Sequence, residues 1–265
     1  MASHPLIVFG ITGRMGQSLI GALREGSPFH LQGAVASPGS SRLGQEAALE
    51  GQATGVRITA DPAAVMARGA VALDFSLSDA VAAHARACAA AGVPLLVGAT
   101  GFDTAARAEL ERAAKTIAVL IAPNTSVAVA VLNRLVAEAA AALGESYDVE
   151  ISEAHHRHKR DAPSGTALSL GEAIAKSRAV SINDVAVFDR HGQGARMPGS
   201  IGFSVVRAGD IVGEHTVTFA GAGERLELIH RATDRMTFAR GALRAAAWLV
   251  GRPAGLYGMK DVLFL

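Results

Sequence analysis

Residues 6–122 alternate between short unbroken apolar runs and stretches of helical spacing. The runs are Leu6–Gly10, Leu31–Ala36, Ala70–Phe75, Pro94–Gly98 and Ile117–Ala122. Between them lie Arg14–Arg24, with Met15, Leu19, Ala22 and Leu23 at helical spacing, the Ala-rich segment Ser78–Ala91 with Ser78 placed as its N-cap, and Asp103–Lys115. A strand reads as a continuous apolar run when helices cover both faces of its sheet. The alternation therefore predicts an α/β first domain over residues 1–125, a Rossmann-like doubly wound parallel sheet. After Val127–Leu143, a long helix candidate, the pattern changes. Asp148–Ser152 reads as a strand, then comes a charged loop, then a helix over Thr166–Lys176. Ile201–Val206, Glu214–Ala220 and Glu224–Ile229 read as strands, and the breaks at Gly209-Asp210 and Gly221–Gly223 suit antiparallel connections. Phe238–Val250 is an amphipathic helix. The expectation is a second, α+β domain over residues 126–237 with a mainly antiparallel or mixed sheet.

A chain of 265 residues has room for roughly two domains and a core that needs no staple. Lys and Arg number 25 and Asp and Glu 24, a net charge of +1, which argues against a nucleic-acid partner and against an acidic disordered tail. Cys88 is the single cysteine, read as a small buried hydrophobe in a reducing compartment. Met1–Pro5 has no secretory-signal character, and no stretch of 18 apolar residues is free of charges or glycines. A cytoplasmic protein with no membrane span is expected.

Glycine is abundant at 29 residues, and two clusters carry chemistry. The first is Gly10-Ile11-Thr12-Gly13-Arg14-Met15-Gly16, between the first strand and the first helix. Gly10 suits a tight turn, Gly13 a close approach of backbone to a pyrophosphate, and Gly16 close helix–strand packing. The helix N-terminus offers N–H groups and a positive dipole end to phosphates. The spacing is G-x-x-G-x-x-G, with Ile11 where the usual fingerprint has its first glycine, so an ordinary strand–helix turn is the alternative. The second strand ends Ala34-Val35-Ala36-Ser37-Pro38 with no acid to hold a ribose diol. Ser37 can donate to a 2′-phosphate, and Arg14 and Arg42 are nearby in sequence. NADPH is thus at least as plausible a cofactor as NADH. Later strand ends carry Phe75-Ser76, Gly98-Ala99-Thr100-Gly101 and Ala122-Pro123-Asn124-Thr125-Ser126, which together describe one crevice rim at the carboxyl ends of the strands.

The second cluster is Glu153-Ala154-His155-His156-Arg157-His158-Lys159-Arg160-Asp161-Ala162-Pro163-Ser164-Gly165-Thr166-Ala167. Histidine can carry a proton near neutral pH, and lysine among cations has its pKa pushed down. Gly165 and Thr166 open a helix whose start can hold an anion. Three other readings exist. A metal site would want His-x-x-His or His-Glu-x-x-His spacing on a helix, or a cysteine nearby, a nucleic-acid patch would want aromatic residues for stacking, and a solvated charged loop wants nothing. No metal is expected.

Further segments are Gly98-x-Thr100-Gly101-Phe102, Arg207-Ala208-Gly209-Asp210-Ile211-Val212-Gly213-Glu214-His215 and Arg235-Met236-Thr237-Phe238-Ala239-x-Gly241-Ala242. With the two clusters, they make the sequence resemble the 4-hydroxy-tetrahydrodipicolinate reductase (dihydrodipicolinate reductase) family of the diaminopimelate and lysine pathway. The resemblance spans almost the whole chain. It implies reduction of a cyclic imine dicarboxylate by NADPH or NADH, with hydride delivered to C4. It implies His155 as acid/base, Lys159 as proton donor, and His156, Gly165 and Thr166 as substrate ligands. The cofactor would lie across Gly10–Met15, with its nicotinamide end near Gly98, Ala99, Thr100, Ala122, Pro123, Asn124 and Thr125. It further implies that residues 238–265 return to the first domain and that the second domain builds a homotetramer. Two departures from the family stand out. The acid that often ends the second strand is missing, and Thr125 stands where some members have an aromatic residue. The rival functions are a dehydrogenase of another small dicarboxylate or amino acid, and a non-catalytic NAD(P)H-binding sensor. The first gives the His155–Thr166 loop no purpose, and the second lacks any helix-turn-helix signal.

Overall fold

The computed structural model describes residues 3–264. It divides into two compact units, one running up to Val127 and resuming at Arg235, the other Ala128–Asp234.

In the first unit the apolar runs become β1 (His4–Phe9), β2 (Phe29–Val35), β5 (Val71–Asp74), β6 (Leu95–Val97) and β7 (Ala118–Ile121). The intervening helices are α1 (Arg14–Leu23), α2 (Val81–Ala91) and α3 (Thr104–Ala113). Three further strands complete the sheet: β3 (Glu46–Leu49), β4 (Gln52–Thr59) and β13 (Gly255–Tyr257). The sheet order is β13-β7-β6-β5-β1-β2-β4-β3. Every ladder is parallel except β3–β4 at one edge. The predicted doubly wound α/β sheet is thus present. The β3–β4 hairpin turns through Glu50 and Gly51, both with positive φ, the geometry that a two-residue turn between twisted strands requires.

One helix start differs from its expectation. Ser78 is not the N-cap of α2: residues 78–80 form a turn, closed by Ala80 N–H donating to Leu77 O at 3.1 Å, and the helix begins at Val81. The buried face of α2 is Val81, His84, Ala85 and Cys88, a helical stripe that includes a histidine. Burial pushes the Cys88 thiol far up, so it stays protonated and packs as a small hydrophobe.

The second unit holds β8 (Asp148–His155), β9 (Ala186–Val187), β10 (Ile201–Arg207), β11 (Gly213–Gly221) and β12 (Glu224–Ala232), in the order β12-β11-β8-β10-β9. β10 runs parallel to β8, while β11 runs antiparallel to both β8 and β12. The sheet is mixed, and the break at Gly209-Asp210 is no hairpin, because β8 lies between β10 and β11. Helices α4 (Val127–Leu143) and α5 (Gly165–Ser177) complete its core, where Leu132, Val136, Leu170 and Ile174 meet Val149, Ile151, Val217 and Phe219. A short helix, α6 (Ile182–Val185), precedes β9. The stretch Val127–Ser146 is, by length and composition alone, apolar enough to cross a membrane, although it carries Arg134, Glu138 and Glu145. Its buried residues Val129, Leu132, Val136 and Ala140 recur at the spacing of a helix lying on a sheet, and Arg134 pairs with Glu138 on the opposite side.

α7 (Met236–Leu249) and α8 (Met259–Phe264) belong to the first unit. α7 packs on α1, and its Gly241 sits against the backbone of Thr125. A Cβ on Gly241 would lie 1.9 Å from Thr125 O. At Gly165 a Cβ would meet nothing within 4 Å. Gly241→Ala is therefore expected to cost at least ~2 kcal/mol of unfolding free energy, and Gly165→Ala less than about 0.5 kcal/mol. Urea midpoints of the two variants check this; equal midpoints would contradict the close approach.

Candidate active site

The turn after β1 is shaped by two steric demands. Gly10 has φ +80°, and a Cβ on it would lie 2.5 Å from Phe75 O. A Cβ on Gly16 would lie 2.4 Å from Ile11 O, so α1 approaches the turn as only glycine permits. Gly13 is the N-cap of α1, with no capping side chain and no acid in the first turn. Among the described residues no capping side chain answers the first-turn N–H groups of α1, an arrangement that suits an anion. Gly10, Thr12 and Gly13 line a cavity of about 590 Å³, together with Ser37 and Pro38 beyond β2 and Phe75, Ser76 and His84 beyond and behind β5. The glycine cradle, the uncapped helix and the cavity's size fit a dinucleotide.

A buried carboxylate organises the far wall of this cavity. Asp74 is fully buried at the end of β5. Its Oδ1 accepts from Ser76 N at 2.9 Å and Ser76 Oγ at 2.6 Å, and its Oδ2 lies 2.9 Å from His84 Nδ1. The His84 ring stacks on Phe9 at 4.1 Å. Asp74 O also accepts from Gly98 N at 2.8 Å and Ala99 N at 3.1 Å. A Cβ on Gly98 would lie 2.1 Å from the Phe75 ring, so Gly98 is the seat of that ring.

Six of the cofactor positions expected from sequence line the cavity: Gly10, Thr12, Gly13, Ser37, Phe75 and Ser76. The others do not. Ile11 and Ala122 are buried, so only their backbones could meet a ligand. Arg14 and Met15 are on the first turn of α1, the former exposed. Gly98, Ala99 and exposed Thr100 follow β6, and exposed Pro123 and half-buried Asn124 follow β7. Thr125 is the clearest difference: it is 2% exposed and its hydroxyl donates to Phe238 O at 2.7 Å, so it ties α7 to the end of β7.

The second unit carries the basic cluster. The sequence reading ended β8 at Ser152, but the strand runs on to His155. Val149, Ile151, Glu153 and His155 alternate onto the buried face. Glu153 is 3% exposed, and its carboxylate meets four donors. Arg207 binds it with two nitrogens, each at 2.7 Å; Ser164 N–H donates at 2.9 Å; His155 Nδ1 lies at 2.6 Å. Burial alone raises this carboxyl, but the hydrogen bonds from His155, Arg207 and Ser164 outweigh it and hold it at about 2. Ser164 caps α5 by accepting from Ala167 N, and its hydroxyl meets His215 Nε2 at 3.0 Å. His215 packs edge-on against His155 at 5.2 Å. Burial, and next the charge of His155, push His215 down to about 3, so it is neutral.

Lys159 Nζ lies 2.9 Å from Asp161 Oδ2, in the loop between β8 and α5. Gly165 is exposed at the start of α5, and Thr166 and His156 are half-buried. The structure thus gathers His155, Lys159, His156, Gly165 and Thr166 on one loop and its two flanking elements. Sequence reasoning assigned no role to Glu153, Arg207, His215, Asp74 or His84. The alternation along β8 was the signal for Glu153. Among the described residues, no group of three or more His, Cys, Asp or Glu is placed to hold a metal ion.

The family model for the N-terminus of dihydrodipicolinate reductase matches residues 4–125, and that for its C-terminus matches residues 128–263. The chain belongs to the dihydrodipicolinate reductase family. A 4-hydroxy-tetrahydrodipicolinate reductase of Thiobacillus denitrificans is 49% identical over 97% of both chains. One of Burkholderia thailandensis is 46% identical over the full length of both. Among solved structures, a dipicolinate-bound dihydrodipicolinate reductase of Paenisporosarcina sp. TG-14 shares the fold, with a TM-score of 0.75 and 22% identity over 98% of this chain and 100% of that one. The reductase family model for the C-terminus runs past Asp234, whereas the fold places α7 and α8 in the first unit.

Acid should loosen this reductase through two groups with the same sign. His215 is neutral when folded and binds a proton below 6.5 when unfolded, so its contribution is complete above pH 6.5 and is lost as pH falls toward 3. Glu153 contributes above pH 4.5 and loses its contribution as pH falls toward 2. Unfolding free energy is expected to drop between pH 7 and 5 with a slope approaching ~1.4 kcal/mol per pH unit from His215 alone. His215→Asn is expected to flatten that interval. Urea titrations at several pH values decide this, and equal slopes for the two proteins would contradict it.

Proposed function

We propose that the chain is an NAD(P)H-dependent 4-hydroxy-tetrahydrodipicolinate reductase of diaminopimelate and lysine biosynthesis, yielding tetrahydrodipicolinate. Family membership over the whole length carries this reading. The glycine cradle of the first unit and the histidine–lysine loop of the second support it. The cofactor is NADH or NADPH, held by the turn Gly10–Met15 and by the strand ends behind Ser37, Phe75, Ser76, Gly98–Thr100 and Ala122–Thr125. When bound, the reduced nicotinamide supplies the hydride that adds at C4 of the substrate.

The remaining work falls to the chain's own side chains. Breaking the C4–O bond releases the hydroxyl as water and leaves a conjugated imine dicarboxylate; hydride addition at C4 then builds negative charge on it, and a positioned proton donor neutralises it. His155 holds the acid/base role and Lys159 donates a proton. His156 binds the substrate, while Gly165 and Thr166 hold one carboxylate at the start of α5, where the helix dipole favours an anion. One substrate, one reduced cofactor and one proton give the reduced product, oxidised cofactor and water. The protein acts in the cytoplasm as a homotetramer. Exposed Leu226 and Ile229 on the edge strand β12 support an assembly that covers that edge.

The test follows absorbance of the reduced cofactor with enzymatically generated 4-hydroxy-tetrahydrodipicolinate. Wild type should oxidise NADPH with kcat/KM at least equal to that for NADH, given the missing acid after β2. His155→Gln and Lys159→Ala should each lower kcat by about 100-fold or more with KM changed only a few-fold. Wild-type turnover in both variants would remove their roles, and no oxidation by wild type would leave a binding protein.

A further inference from the structure

We propose that Glu153, clamped by Arg207, is a positioning residue that fixes the proton of His155 on Nδ1 and ties that imidazole to the capped start of α5. The inference rests on His155 as the acid/base of the proposed reaction.

The hydrogen-bond inventory fixes the tautomer. An ionised carboxylate only accepts. Glu153 Oε2 lies 2.6 Å from His155 Nδ1, so Nδ1 carries the hydrogen. The exchangeable lone pair or second proton of His155 is then on Nε2. That atom faces Gly213: a Cβ there would lie 3.0 Å from it, so glycine at this position makes room for Nε2. The His155 side chain is 11% exposed, the Glu153 side chain 1%. The carboxylate is the more deeply buried of the pair.

Arg207 fixes the carboxylate in turn. It ends β10, and the parallel register with β8 sets it opposite His155. Its guanidinium takes both oxygens of Glu153 and also donates to Asp161 O at 2.6 Å. Asp161 is the partner of Lys159. A single guanidinium therefore braces the carboxylate behind His155 and the loop that carries Lys159. Ser164 adds the third tie, because its N–H donates to Glu153 while its hydroxyl caps α5. Orientation of the histidine and placement of the helix start that would hold a carboxylate are thus set by one buried group.

The charges facing His155 are Glu153 on its own strand, Arg207 on β10, neutral His215 on β11 and, in the loop, Lys159 and Asp161. His230 on β12 lies behind His215. Arg207 and Glu153 form an ion pair, and loss of the carboxylate alone leaves the guanidinium's charge close to His155.

Two experiments test the proposal. The first uses the unmodified protein: long-range 1H–15N spectra of His155 near pH 8 should show the Nδ1–H tautomer, and an Nε2–H tautomer overturns the proposal. The second is a kinetic cycle. Glu153→Gln should lower kcat at least 30-fold and leave KM for NADPH within 3-fold. In a His155→Gln background the same change should cost less than 3-fold further, because Glu153 acts through the imidazole. Multiplying losses would make Glu153 a general structural support and overturn the proposal. Wild-type kcat in His155→Gln alone would instead overturn the acid/base role, a distinct failure.

Discussion

A carboxylate without water needs other donors, and Glu153 has four of them from β8, β10 and the start of α5. Leaving such a group unpaired in the interior costs several kcal/mol. The second unit therefore has few ways to arrange these three elements. The bidentate guanidinium sets the end of β10 beside the end of β8. The Ser164 N–H sets where α5 begins. The imidazole of His155 is left with one hydrogen set by Glu153, and Nε2 is the nitrogen that Glu153 does not engage. The chemistry proposed for the loop depends on this arrangement more than on the abundance of positive charge between His155 and Arg160, most of which is exposed to solvent.

The first unit uses a parallel device. Asp74 ends an apolar strand and converts its terminus into a polar wall by binding Ser76 and His84. Its backbone oxygen gathers the turn after β6. Gly10 and Gly98 bring that wall against the nucleotide turn and the Phe75 ring by omitting side chains. Here the carboxylate shapes a cavity, whereas Glu153 orients a histidine. In both units a buried acid at the end of a strand positions its neighbours through accepted hydrogen bonds.

The parallel sheet was legible because burial on both faces leaves an unbroken apolar run, as in Leu6–Phe9 and Val71–Leu73. The helices α1, α3, α4 and α5 were legible from the spacing of their apolar residues. The order of the second sheet was not, because pairing across chain segments is decided by packing, and nothing local sets β8 between β10 and β11. The β3–β4 hairpin was missed because most of its residues are exposed or half-buried and leave no unbroken apolar run, and its turn is Glu50-Gly51 rather than a strong turn pair. The loop residues His155 and Lys159 were visible as residue types in a cluster. Glu153 was not, although Val149-x-Ile151-x-Glu153-x-His155 alternates as a strand does. Its charge disguised a buried position, since acids are rarely buried unless they are paired, and the partner Arg207 lies 54 residues away. His84 was hidden for the same reason inside an apolar helical stripe.

The reaction proposed for this chain is direct hydride transfer from a reduced nicotinamide to the cyclic imine dicarboxylate. The direct measurement is isotope transfer. Purified enzyme turns over enzymatically generated 4-hydroxy-tetrahydrodipicolinate with NADPH carrying deuterium at the transferable position of the nicotinamide, and the product is weighed by mass spectrometry. One deuterium in each product molecule, at C4, is the predicted result. Product without deuterium, or labelled cofactor left unoxidised, would contradict the account.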